Sequence, residues 1–260
     1  MVTLITGAST GIGAEFARQF AALGHDLVVV ARSADRLEEL AAALRAAHGV
    51  NVTVIGMDLS RPDAAEQLWR RTTGLGLEVD VLVNNAGVGT HADVADADPR
   101  RLEEEVELNC RTLVGTTARY LPAMRARGAG AVVNVASTAA FQPLPRWPSI
   151  RRRRPSCCPS PRRCGRRSAA TASACWRSAR GSPTPRSSEL AGEGATAASG
   201  PLAQAFTRTP QQVVGHTIRA LSGHKSSFVD GTANAVVIRR LNRLLPRRLV
   251  VALAGRLIHG

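Results

Sequence analysis

Residues 2–23 read VTLITGASTGIGAEFARQFAAL. The first five form a short β-branched run, which suits a buried strand. From Ala14 the apolar residues recur at helical spacing, and Gly24 closes the pattern. Between strand and helix stand Gly7, Gly11 and Gly13, in the order T-G-x-x-x-G-x-G. The first glycine permits a tight turn, the second lets backbone approach a diphosphate, and the third lets the helix pack closely. The helix N-terminus then offers its unpaired N–H groups to phosphate. Alone, such a loop is a weak signal, and its surroundings decide its meaning.

Those surroundings alternate strand and helix. DLVVVA (26–31) is a second buried strand, and SADRLEELAAALRAAHG is a helix with Ser33 as N-cap and Gly49 as C-terminal stop. NVTVIGMD (51–58) and VDVLVNNAG (79–87) are further strands, separated by a helix opening at SRPD with Ser60 capping and Pro62 in its first turn. A long helix from about Pro99 to Arg127 precedes the strand GAVVNVAS (130–137). After Ser199, TPQQVVGHTIRAL has Thr209 as N-cap, Pro210 at the first helical position and Gln212 placed for a capping box, and SSFVDG could supply a last strand. The alternation predicts one α/β domain over 1–260, a doubly wound parallel sheet with its ligand at the carboxyl ends of the strands.

Three further motifs follow the glycine loop in order: NNAG (84–87), ELN (107–109) and NVAS (134–137). With these the chain resembles the short-chain dehydrogenase/reductase family, in its classical branch, through residues 1–145. The resemblance implies a Rossmann-type fold and hydride transfer between NADPH and a carbonyl or alcohol substrate. It implies that Gly7, Ser9, Thr10, Gly11, Ile12 and Gly13 line the cofactor diphosphate and adenosine ribose, and that Asp58 and Leu59 flank adenine. Asn84, Ala86 and Gly87 would wall the adenine ribose and the sheet. Arg32, directly after the second strand, stands where a cation meets the 2′-phosphate, which favours NADP over NAD; the plainer reading is a solvated loop charge. Asn109 would hold a water in a proton relay, although a mid-helix Asn can also be purely structural. Ser137 would hydrogen-bond the substrate carbonyl and the forming alkoxide.

The family also needs Y-x-x-x-K, with the Tyr thirteen positions after that serine. Here those positions hold Ile150 and Arg154. No other Y-x-x-x-K exists, because the sole tyrosine is Tyr120 and the sole lysine is Lys225. A phenol with a pKa near 10 needs a neighbouring ammonium to become a proton donor near neutrality, and the chain supplies neither partner there. Turnover is therefore expected to be absent or strongly impaired.

The two positions fall in an anomalous segment, 146–188, with twelve arginines, no Asp or Glu, and four of the five cysteines. Removing those twelve arginines from a net charge of +14 leaves +2 for the rest. The genetic code offers an explanation. Cys and Trp codons begin TG, so a frame one base earlier reads Leu, Met or Val there, and CGN arginines become Ala, Ser, Thr or Pro. One consistent codon choice turns WPSIRRRRP into M-A-V-Y-S-A-T-K-A, with Tyr at position 150 and Lys at 154. The expectation is a compensated frameshift, opened near codon 146 and closed near codon 188, in the gene or in its reading. As written, the segment lacks Leu and Val and carries several prolines, so it is expected to be ill-packed.

Composition excludes other classes. The arginine run lacks interleaved aromatics and any DNA-binding motif, so no nucleic-acid partner is expected. Cysteine spacings match no zinc pattern, and no metal is expected. No uncharged apolar stretch reaches membrane-spanning length, and nothing at the N-terminus reads as a signal peptide, so a cytoplasmic location is expected. The basic amphipathic tail, 236–260, suits a packed helix or a weak membrane-surface contact. A homo-oligomer is expected from the resemblance alone, and substrate identity lies beyond the sequence.

Overall fold

The computed structural model describes residues 1–90, 94–136 and 209–222, and the backbone of 175–177 and 227–229. Seven strands and six α-helices lie in these residues: β1 (Val2–Thr6), α1 (Gly11–Ala22), β2 (Asp26–Ala31), α2 (Ala34–His48), β3 (Val52–Gly56), α3 (Ala64–Gly74), β4 (Val79–Asn84), α4 (Pro99–Val106), a π-helical segment (Glu107–Thr112), α5 (Leu113–Ala126), β5 (Ala131–Asn134), β6 (Cys175–Arg177), α6 (Pro210–Ser222) and β7 (Ser227–Val229). Five strands form a parallel sheet in the order β3-β2-β1-β4-β5, as the alternation predicts. The remaining two, β6 and β7, pair in parallel as a separate small sheet.

Strand alternation divides the sheet into two cores. Ile5, Leu27, Val29 and Val83 join Phe16 and Phe20 of α1 and Leu37 of α2 on one face. Leu4, Val28, Val30 and Leu82 join Leu68 of α3 and Met124 of α5 on the other. Each fully buried Val or Leu contributes about 1.5–3 kcal/mol relative to exposure, so the central strands carry much of the stability. The late helix α6 belongs to this fold: Val214 and Ala220 pack into the core with α1. Its capping box is present, since Thr209 N donates to Gln212 Oε1 at 3.3 Å and Gln212 N to Thr209 Oγ1 at 3.3 Å.

Two local expectations need correction. The helix expected to open at Ser60 begins at Ala64, after Asp63. Ser60 instead gives both its N–H (3.0 Å) and its hydroxyl (2.8 Å) to Asp58 Oδ1, a local turn that competes with helix formation. Ser33 stands at the N-cap of α2 and Gly49 closes that helix at φ 68°, both where expected, although the Ser33 side chain makes no capping bond. The helix expected from about Pro99 to Arg127 is interrupted by the π-helical segment around Asn109. Most of 146–188, all of 236–260, and Ser137, Ile150 and Arg154 lie outside the described residues; within 146–188, residues 175–177 form β6.

Candidate cofactor-binding site

The chain direction around the sheet reverses between β1 and β4, so the crevice of this fold opens where their carboxyl ends part. Two loops flank it, one after β1 and one after β4. Gly7 turns the first at φ 68°, and its N–H donates to Val30 O at 2.7 Å. A Cβ there would lie 2.8 Å from Ala86 Cα, so the two loops press together at this glycine. At Gly13 a Cβ would lie 2.1 Å from the Gly7 carbonyl oxygen, which fixes α1 against the turn. Gly11 differs: at φ 57° it has, among the described residues, no atom within 4 Å of where a Cβ would stand. Two glycines serve packing, and the third faces open space.

Helix α1 starts at Gly11, inside the glycine loop. Its N-cap, Thr10, makes no side-chain capping bond, and its first turn holds no acidic residue. The N–H groups of Gly11, Ile12 and Gly13 precede the first helical bond, Ala14 N to Thr10 O at 3.3 Å, and they point out of the helix end. Ser9, Thr10 and Ile12 are partly exposed around that end. The donor set suits a diphosphate, with no carboxylate in the helix's first turn.

The second loop is tied to the first through Thr6. Its hydroxyl donates to Val83 O (3.3 Å) and accepts the N–H groups of Asn85 (3.0 Å) and Ala86 (3.1 Å). Asn85 Nδ2 donates to the carbonyls of Thr6 (3.0 Å) and Gly7 (3.1 Å), while its buried Oδ1 has no partner among the described residues. Sequence reasoning misses both Thr6 and Asn85; the doubled asparagine of NNAG is the one signal that points to the second, and its first member, Asn84, does other work. That first one, Asn84, is buried and spends its amide on Thr116 (2.8 Å), Thr117 (3.1 Å) and Asn134 (2.9 Å), joining β4 to α5 and β5. Gly87 is partly exposed beyond it.

Further along the loop, Val88 is gripped by Asn109. Asn109 Oδ1 accepts from Val88 N (3.2 Å), and its Nδ2 donates to Val88 O (2.8 Å). The buried Asn109 sits in the π-helical segment, where the wider turn carries it towards the loop. One turn earlier, the buried Glu105 accepts from the Thr90 hydroxyl, which in turn accepts Arg101 Nε at 2.8 Å. Side chains one helical turn apart thus fasten loop residues 88 and 90, and sequence reasoning missed the second fastening.

At the far end of the sheet, β3 stays bonded to β2 through Met57 N and Ala31 O, 3.0 Å apart. Arg32 therefore leaves β2 beside Asp58. Burial pushes the Asp58 carboxyl up, but the Ser60 N–H and hydroxyl and the charges of Arg32 and Arg61 outweigh it and hold Asp58 below its ordinary value. Leu59 is buried, and its carbonyl accepts Thr112 Oγ1 at 2.7 Å.

Tyr120 does not belong to this crevice. It lies in the core between α3 and α5, with its hydroxyl 2.7 Å from Thr72 Oγ1. Burial pushes its pKa up to about 12, opposed by the Thr72 hydrogen bond. Such a phenol is no proton donor for a reaction near neutrality.

A parallel doubly wound sheet with a phosphate-ready helix end at its switch point defines a dinucleotide-binding α/β domain. The family model for short chain dehydrogenase matches residues 1–149, and the chain belongs to that family. Among curated proteins, a very-long-chain 3-oxoacyl-CoA reductase of Podospora anserina is 35% identical over 147 residues, 55% of this chain and 43% of that protein. The NADP-dependent 3-hydroxy acid dehydrogenase YdfG of Salmonella typhi is 33% identical over 144 residues, 55% of this chain and 56% of that protein. The chain thus matches about half the length of these relatives. A solved short-chain dehydrogenase from Sphingobium yanoikuyae, in complex with NADPH, superposes with a TM-score of 0.79 at 26% identity, covering 93% of this chain and 92% of that one. A 7beta-hydroxysteroid dehydrogenase shares the fold at a TM-score of 0.83 and 23% identity, covering 98% of this chain and 96% of that one.

Proposed function

We propose that this oxidoreductase-family chain binds NADP and derives from an NADPH-dependent carbonyl reductase or alcohol dehydrogenase, with turnover lost in the chain as written. The carrying observation is the helix end at Gly11, open among the described residues, with no capping bond from Thr10 and no acidic residue in its first turn, at the sheet's switch point. NADP, when bound, supplies or accepts the hydride. Gly11, Ile12 and Gly13 would hold the diphosphate through their N–H groups, with Ser9 and Thr10 beside it. Asp58 and Leu59 would flank adenine, Arg32 would meet the 2′-phosphate, and Asn84, Ala86 and Gly87 would form the wall built on β4. Ser137 would receive the substrate carbonyl. Asn109 would keep the loop wall in register through Val88, and serve a proton relay from that position.

Loss of turnover rests on the proton donor. Ile150 and Arg154 replace the required Tyr and Lys, and the sole tyrosine is buried against Thr72. The compensated frameshift accounts for both losses together. Two features support it: the family match covers residues 1–149, ending at the position before Ile150, and Thr209 to Gln212, beyond the anomalous segment, form a properly capped start to α6. DNA resequencing across codons 140–195 tests it; an intact frame encoding the same arginines in independent isolates sinks it.

A second reading, favoured by the intact crevice alone, is a dinucleotide-binding protein with a regulatory or scaffold role and no chemistry. NADPH titration combined with carbonyl-dependent oxidation separates the readings once the frame is restored: the restored chain turns over in the first and stays inert in the second. Cytoplasmic location, homo-oligomer formation and a weak membrane-surface contact of 236–260 remain part of the proposal. Among the described residues, no helix is long and apolar enough to cross a membrane, and no group of three metal-ligating side chains gathers.

A further inference from the structure

The turn after β3 is built more firmly than an ordinary surface loop, and it carries a second arginine to the end of the crevice that Arg32 occupies. Asp58 Oδ1 holds both the N–H and the hydroxyl of Ser60. Leu59 is buried, with its carbonyl fixed by Thr112. Arg61 follows at once, its own carbonyl accepting Ala64 N at 3.1 Å and its successor Pro62 restricting the backbone. The edge of the sheet sets the spacing on the other side, because Ala31 pairs with Gly56 and bonds Met57. Arg32 and Arg61 are both exposed, both act on the Asp58 carboxyl, and neither is paired with a carboxylate within 4.0 Å among the described residues.

Two guanidinium groups around one carboxylate leave a local excess of positive charge. Asp58 is already engaged by Ser60, so the arginines keep donors for another partner. Guanidinium groups match phosphate oxygens in planar, charge-assisted pairs, and a phosphate monoester carries nearly two negative charges at neutral pH. We infer that Arg61 joins Arg32 as a two-arginine seat for a phosphate monoester at the adenosine end of the crevice, so that both residues read the 2′-phosphate. The seat rests on the NADP reading above. It assigns Arg61 a role in cofactor choice, with the Asp58–Ser60 turn as the mount that sets its position.

Calorimetric titration of the full chain with 2′,5′-ADP and with 5′-AMP tests the seat, since these probes need only the adenosine half of the crevice. The native chain should prefer 2′,5′-ADP. Arg61→Ala should weaken 2′,5′-ADP about tenfold while leaving 5′-AMP within about twofold, as expected for one charge-assisted contact. Arg32→Ala should do the same, the double variant should lose the preference, and Arg61→Lys should keep part of it. A thermal melt of each variant confirms the fold, and the glutamine substitution at the same position, Arg61→Gln or Arg32→Gln, replaces any alanine variant that fails to melt cooperatively. If only Arg32→Ala lowers the preference, the NADP reading stands and the seat is wrong. Equal weakening of both probes by Arg61→Ala makes Arg61 a structural part of the turn and overturns the seat. A native chain with no preference for 2′,5′-ADP, or binding neither probe, overturns seat and NADP reading together.

Discussion

Single glycines in the first loop do different work, and substitution should separate them. Gly13→Ala drives a methyl into the Gly7 carbonyl, so backbone must shift, and a loss of roughly 1–3 kcal/mol is expected by chemical denaturation. Gly11→Ala meets no atom of the described residues but must hold φ at 57°, a strain of about 1–2 kcal/mol, and its methyl enters the space that the proposed diphosphate would fill. NADPH fluorescence titration should therefore show the larger affinity loss per unit of stability lost at Gly11. Tyr120→Phe removes one buried hydrogen bond from Thr72, which keeps bonds to Leu68 O and Trp69 O. It should cost about 1 kcal/mol and leave NADPH affinity unchanged.

His25 adds a pH dependence. Burial and the nearby N-terminal ammonium push its imidazole below the ordinary 6.5, against the opposite pull of Asp80 and Asp26. Its neutral ring shares a hydrogen bond with Thr3 Oγ1 at 2.8 Å. The unfolded chain takes up the proton first as pH falls, so the stability is complete above 6.5 and is lost as pH drops through the lower folded value. Urea midpoints measured between pH 7.5 and 5 should fall, and His25→Gln should flatten that fall.

At the scale of elements, the strands were legible because β-branched runs between glycines leave little choice, and DLVVVA is a strand over the same six residues in the structure. The box at the start of α6 was legible for the same local reason, since Thr209, Pro210 and Gln212 each favour one geometry. Three features were hidden. Ser60 could cap a helix or close a turn on Asp58, and only the neighbouring carboxylate decides. The π-helical segment depends on Asn109 reaching Val88 across the loop, a contact far apart in sequence. Thr6 and Asn85 show their importance only once β1 and β4 lie side by side. Docking of α6 gives a direct test: Val214→Ala should cost about 2 kcal/mol and lower the melting temperature of the whole domain, because its side chain is fully buried in the core shared with α1.

For the whole molecule, the charge of +14 belongs mostly to one segment, and outside it the chain is a nearly neutral member of its family. The crevice around Gly11 is assembled from β1, α1 and β4, all encoded before residue 137. The position at which the family places its proton donor, held here by Ile150, falls after it. In the proposed reading, binding and chemistry are divided along the chain, so a chain without the proton donor can still hold the cofactor. The most direct measurement follows NADPH fluorescence in the chain as written while a panel of ketones and aldehydes is added. A saturable enhancement that persists without oxidation is the expected result. No enhancement, or steady carbonyl-dependent oxidation at about 1 per second or faster, within the ordinary range of enzymes, would contradict the proposal of a cofactor-binding frame without its proton donor.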